Sequence, residues 1–305
     1  MPDYEVVRVL DSKARLGESP VWSVDHQVLL WVDILKQTAN RFSIATGENV
    51  EWSVPSVPGG IVLGEGNSAL IVASDGIYDI ALDSGAVSKL ADAPFDPSKR
   101  RFNDCKADRQ GRLWSGASNI DPEDQVENGG VLYRYDGMSL TQGYAPITIP
   151  NGLAFSPDGR TMYRAESWMR TIYALDYDPN TGTASNQRVF AQVPDDLGVP
   201  DGAAMDTEGG YWVALPLGPR MNSIARFSAD GKLDVLIEVP VLMPTMVAFG
   251  GLDMATLYLT SARDEHIFSL YSGGKGANDL DGDIFAIQTS FTGVPETKVR
   301  VRKAN

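Results

Sequence analysis

One cysteine and two histidines are the whole stock of thiolate and imidazole metal ligands in 305 residues. Cys105 standing alone excludes an internal disulfide and suits a reducing compartment. His26 falls in a hairpin turn and His266 in the charged run Arg263-Asp-Glu-His, so neither reads as a zinc ligand and no Ser-His-Asp arrangement can be assembled. Long apolar runs are also missing. The most apolar stretch, 239–252, is broken by Pro240, Pro244 and a glycine pair, and Met1-Pro-Asp-Tyr-Glu5 has neither a basic nor an apolar leader character. We therefore expect no membrane span and a cytoplasmic location. Basic residues are in deficit, with 26 Lys and Arg against 40 Asp and Glu, a net charge of −14 and a pI near 4.6. That balance disfavours the basic patch that nucleic acid or an anionic membrane requires. A neutral small molecule is the easier partner, with the chain a monomer or a weak homo-oligomer.

What the chain does contain is a repeat. From Asn151 it reads Asn-Gly-Leu-Ala-Phe-Ser-Pro-Asp-Gly-Arg-Thr-Met-Tyr: an apolar strand, a Pro-Asp-Gly turn and a second strand. The turn pair Asp158-Gly159 follows Asn151 by seven and eight residues. At the same offsets Glu18 is followed by Asp25-His26, Gly60 by Asn67-Ser68, Asn103 by Gln110-Gly111 and Asp201 by Glu208-Gly209. A sixth copy begins near Thr245, with one residue inserted before its Tyr258. Third strands recur at 40–44, 76–80, 131–135, 171–175, 223–227 and 283–287, each leading into a glycine turn, and fourth strands such as 187–193 and 233–239 come next. Six repeats of four short strands predict an all-β fold, a six-bladed β-propeller of four-stranded antiparallel blades around a central channel, as one domain over 1–305. Segments 4–10 and 296–302 both alternate like strands, and either could complete the last blade.

In a propeller the first strand of every blade lines the channel, so Glu18, Gly60, Asn103, Asn151, Asp201 and Thr245 converge at one end of the axis. Taken singly, most are ordinary turn residues. Together, two carboxylates and two amide oxygens aimed at one point call for a cation, because crowded, desolvated like charges are costly. Oxygen donors of net charge −2 suit a hard divalent ion with positions left open for water and substrate.

Five motifs then carry a resemblance: Leu16-Gly-Glu-Ser-Pro-Val-Trp22, Trp31-Val-Asp-Ile34, Arg101-Phe-Asn-Asp104 with Gly111-Arg-Leu-Trp114, Pro150-Asn-Gly-Leu153 and Pro200-Asp-Gly202. In order and spacing they resemble the signatures of the regucalcin and gluconolactonase family of sugar lactone hydrolases, over about residues 16–287. The resemblance implies one divalent cation, Ca²⁺ favoured with Zn²⁺, Mn²⁺, Mg²⁺ or Fe²⁺ also compatible, held by Glu18, Asn151 and Asp201. It implies that Asn103 contacts metal or substrate and that Arg101 holds substrate hydroxyls or a carboxylate. Asp104 is expected behind them, orienting Asn103 or Arg101, and Cys105 is expected to pack rather than react.

The chain also departs from the family pattern. Gly116-Ala-Ser118 leads into a polar loop, 119–128, expected to lie over the site as a lid. Ala165-Glu-Ser-Trp168 stands where Asp-Ser or Asp-Thr is usual, and Leu215-Pro-Leu-Gly-Pro-Arg-Met221 replaces a glycine-rich segment. Arg164 and Arg220 could meet an acidic substrate, or could be surface or salt-bridged groups.

The expected reaction is metal-dependent opening of a sugar lactone to the free sugar acid, with Asp201 as both ligand and general base. Two alternatives keep the scaffold: phosphotriester hydrolysis, as in the similar diisopropyl fluorophosphatase and paraoxonase propellers, and a non-catalytic metal-binding propeller. A metal-free, strictosidine-synthase-like propeller is disfavoured by the oxygen ligands.

Overall fold

Short β-prone runs separated by Asp-Gly, Thr-Gly and similar glycine turns leave each strand little choice but to pair with its sequence neighbour, and this is what the chain does. The computed structural model describes residues 4–120, 129–219, 221–266 and 277–301. Among them six four-stranded sheets form, all pairings antiparallel. The strands nearest the axis are Gly17–Ser23, Pro58–Leu63, Arg100–Ala107, Asn151–Phe155, Ala203–Met205 and Pro244–Gly250. Each touches the next around the ring, and the sixth returns to the first. The result is the six-bladed propeller that the repeat predicts. No described helix is long and apolar enough to cross a membrane.

The core lies between blades. Val21, Leu30 and Val32 of the first blade pack on Ile61, Ile71 and Ile80 of the second, and Tyr163 and Ile172 of the fourth pack on Val213 and Phe227 of the fifth. The largest fully buried side chains include Trp31, Trp114 and Trp212, the tryptophans of the second strands.

Buried turn carboxylates hold the hairpins. Asp206, fully buried, accepts from the amides of Glu208 and Gly210, from Trp212 Nε1 at 2.8 Å and from Arg226 Nε at 2.6 Å. Asp108, five residues after Asn103 as Asp206 is after Asp201, does the same for Gln110 and Arg112. These acids belong to the fold.

The N-terminal segment closes the ring. Val6–Leu10 pairs with Ile284–Gln288 as the outer strand of the sixth blade, and Asp283, fully buried, accepts ion pairs from Arg8 and Lys13. The C-terminal segment, which alternates equally well, instead crosses the far end of the channel as a strap. Val294 N donates to Met205 O, Lys106 Nζ to Glu296 Oε1, Val299 N to Leu63 O and Arg300 N to Gly111 O. The strap thus joins the fifth blade to the second and third and leaves the opposite end for chemistry.

Candidate metal and substrate site

A β-bulge near the start of the inner strand sets the site. In the first, third and fourth blades the register with the second strand slips just after Glu18, Asn103 and Asn151. The following residues, Ser19, Asp104 and Gly152, take positive φ values of 51°, 52° and 61°. A bulge there re-aims the side chain before it. Gly152 has no alternative, because a Cβ would lie 2.2 Å from Tyr211 Oη.

Three blades are joined by one chain of polar contacts. Asn103 Nδ2 donates to Asn151 Oδ1 at 2.6 Å and to Pro150 O at 2.9 Å. Asn151 Nδ2 donates to Ser167 Oγ at 2.9 Å, and Ser167 Oγ donates to Pro200 O at 2.8 Å, beside Asp201. Glu18 Oε2 accepts from Ser19 N at 2.9 Å. Glu18, Asn103, Asn151, Asp201 and Arg101 all remain partly accessible.

The other two starting residues do not join. Gly60 is closed in, since a Cβ would fall 2.5 Å from Cys105 Sγ and 2.9 Å from Ser19 Oγ. Thr245 is buried, its hydroxyl donating to Gly17 O. They knit neighbouring blades together.

Electrostatically the site is over-supplied with acid. Burial, then the neighbouring Asp104, raise the Glu18 carboxyl, opposed by the Ser19 amide and by Arg101. Burial, then Glu18, then Asp104, raise Asp201 well above the carboxylate range, again opposed by Arg101. Asp104 is pushed up to about 6, chiefly by burial. Its Oδ2 accepts from Leu153 N at 2.8 Å, while Oδ1 is buried with no hydrogen-bond partner. Asp104 therefore braces the backbone two residues past Asn151, a contact between blades that differs from the expected orientation of Asn103 or Arg101.

Among the described residues no three His, Cys, Asp and Glu side chains cluster as a metal group. The donor set is instead two carboxylates and an amide oxygen, and it fits a hard cation, because a divalent charge would offset the burial and the like-charge repulsion that raise Glu18 and Asp201.

Other expectations resolve simply. His26 and His266 are exposed. Cys105 is buried and its thiol is pushed up by burial, with Ser19 Oγ at 3.8 Å, as a packing residue. Arg164 is salt-bridged to Glu166 at 2.5 Å and bonded to Gln187. Arg220 and positions 121–128 of the expected lid lie outside the described residues.

Ser167 and Tyr211 escaped the sequence reading. Tyr211, fully buried, donates from its hydroxyl to Gly152 O at 2.6 Å. Ser167 falls in the segment that departs from the family pattern, which was its one visible signal.

A family model described as SMP-30/Gluconolactonase/LRE-like region matches residues 16–263. The chain belongs to this family. Within it, the chain is similar to a 6-deoxy-6-sulfogluconolactonase of Pseudomonas putida, 37% identical over 92% of this chain and 94% of the relative. It is also similar to the pentonolactonase XacC of Haloferax volcanii, 34% identical over 97% of this chain and 99% of the relative. A solved structure of regucalcin from Agrobacterium tumefaciens, a calcium-binding protein, superposes with a TM-score of 0.87 at 24% identity, covering 98% of both chains, and supports the SMP-30/gluconolactonase fold.

Proposed function

We propose that this protein is a metal-dependent lactonase that opens a sugar lactone to the free sugar acid. The observation that carries the reading is that Glu18, Asn151 and Asp201 lie at or near the starts of the inner strands of three blades, with both carboxyls raised by burial and by Asp104, and Asp201 also by Glu18. The names of relatives sharing a third of their residues across nearly their whole length give the ester its class.

Glu18, Asn151 and Asp201 would hold the cation, and the hard oxygen set favours Ca²⁺. Lewis-acid polarisation of the ring carbonyl, and stabilisation of negative charge on its oxygen, are what such an ion supplies when bound. The chain's own residues do the rest. Asn103 and Ser167 fix the Asn151 amide with its oxygen turned away from Ser167. Arg101 would hold substrate hydroxyls or a carboxylate, and its charge already bears on both acids. Asp201 takes the proton of the attacking water as general base. Ring opening then returns that proton to the departing alcohol oxygen, so proton and charge balance over the cycle.

A panel of aldonolactones and one fluorophosphonate, offered to the protein with divalent cation, tests this. Lactone turnover supports the proposal. Turnover of the fluorophosphonate alone would move the reaction to phosphorus, and turnover of neither would leave a binding platform.

A further inference from the structure

Three residues carry the chain from the third blade to the fourth. Leu140–Ile147 ends the third blade as its outer strand, Asn151–Phe155 opens the fourth as its inner strand, and Thr148, Ile149 and Pro150 lie between. Proline offers no amide and biases the residue before it to an extended backbone. The amides of Thr148 and Ile149 lie outside both strand ladders.

Glu166 takes both of them. Its Oε1 accepts from Thr148 N at 3.0 Å and its Oε2 from Ile149 N at 3.4 Å. Glu166 ends the strand Thr161–Glu166, directly after Ala165, which pairs with Asn151. The side chain is buried and ion-paired to Arg164, which is itself fixed by Gln187 Oε1 at 3.1 and 2.7 Å and by the Tyr173 ring 4.7 Å away. At the other end of the linker, Asn103 Nδ2 donates to Pro150 O and to Asn151 Oδ1. The backbone from which Asn151 projects is thus held at two amides by Glu166 and at its last carbonyl by Asn103. A buried ion pair alone is weak evidence for any role. What singles out Glu166 is that its remaining contacts fall two and three residues before a proposed ligand.

We propose that Glu166 is a positioning residue that sets the cation affinity of the site, by fixing residues 148–150 and with them the Asn151 amide. The inference rests on the metal-dependent reading above and concerns how one of its ligands is held. Oxygens from three blades bind one ion only while their separations match its coordination shell, and Ca²⁺–oxygen distances span only about 2.3–2.6 Å. A linker free to shift loses affinity without losing a ligand.

The test is calorimetric titration of chelator-treated protein with Ca²⁺, comparing wild type, Glu166→Gln, Glu166→Asp and Asp206→Ala. Gln keeps the shape but has one acceptor oxygen and no charge, so a linker amide goes unmet; Asp keeps the charge and draws it back from the linker. Both should raise the Kd for Ca²⁺ about 10-fold or more, the scale of lost support behind a metal ligand. Turnover of D-glucono-1,5-lactone should return near wild type at saturating Ca²⁺, because Glu166 is not itself a ligand. Asp206→Ala loosens a hairpin of the fifth blade, so it should lower the melting temperature and leave Kd unchanged. If Glu166→Gln does not fold, Glu166→Asp decides. A Kd within about 2-fold of wild type, well short of that scale, overturns the proposal. Equal weakening in Asp206→Ala also overturns it, since the effect would then be one of general stability. Absence of Ca²⁺ binding by wild type would sink the metal reading and this proposal together. Binding without lactone turnover would sink the lactonase reading alone, with Kd still judging Glu166.

Discussion

Chelator-treated protein should lose stability as pH rises, and an added divalent cation should lessen that fall. In the metal-free protein, burial lifts the Glu18 carboxyl from 4.5 to about 8. Between those values the folded protein holds a proton that the unfolded chain has released, so the contribution of Glu18 is fully present below about 4.5 and is lost as pH climbs through about 8. Each pKa unit corresponds to about 1.4 kcal/mol, and after discounting for the partial water access of Glu18, keeping it as an anion costs on the order of 3 kcal/mol. Asp201, raised in the same direction, adds to the slope. A cation binding only the folded state at about 100 times its Kd returns about 2.7 kcal/mol. Thermal melts of chelator-treated protein at pH 5 to 9, with and without added Ca²⁺, read both effects. The metal-free melting temperature should fall across this window by several degrees beyond that of the cation-loaded protein. Parallel curves, with no gap opening toward high pH, would refute the reasoning.

Ligand and base roles separate in two variants. Glu18→Gln should lose activity that excess metal largely restores, whereas Asp201→Asn should stay down by about 10²- to 10⁴-fold at metal saturation, as read from kcat across a metal titration. Tyr211→Phe leaves the Gly152 carbonyl unpartnered in a buried position and should lower stability by about 1–3 kcal/mol in denaturant titrations, with a weaker apparent metal affinity. Asp206→Ala removes the acceptor of Arg226 Nε, Trp212 Nε1 and two turn amides while Asp234 and Glu208 still pair the guanidinium, so it should lower stability by about 1–3 kcal/mol while the folded fraction keeps wild-type kcat/KM.

The architecture was readable because its signal is local and repeated. A turn pair at a fixed distance from each inner strand fixes blade number, and the observed inner strands begin within three residues of the counted starts at 18, 60, 103, 151, 201 and 245. Closure of the sixth blade was not readable, because Val6–Leu10 and the segment around Val299 have the same alternation. Contacts distant in sequence decide it: the buried Asp283 gathers Arg8 and Lys13, while Val299 bonds Leu63 on another blade. The four polar residues of the site were legible from their register. That Gly60 and Thr245 stand aside was not, since the reason is steric in one case and a hydroxyl bond to Gly17 in the other. The part played by Asp104 depends on a positive φ and a partner in the next blade, and the place of Ser167 depends on a contact to Pro200. No spacing in the sequence encodes either.

In the proposed mechanism three oxygens from three blades hold a cation without which the ester is not opened. Its most direct test is the initial rate of aldonolactone hydrolysis, followed in a pH-stat, for chelator-stripped protein and for the same sample after Ca²⁺ is restored. The rate should fall to near the uncatalysed background after stripping and recover on restoring the ion. Full turnover by the stripped protein would contradict the mechanism.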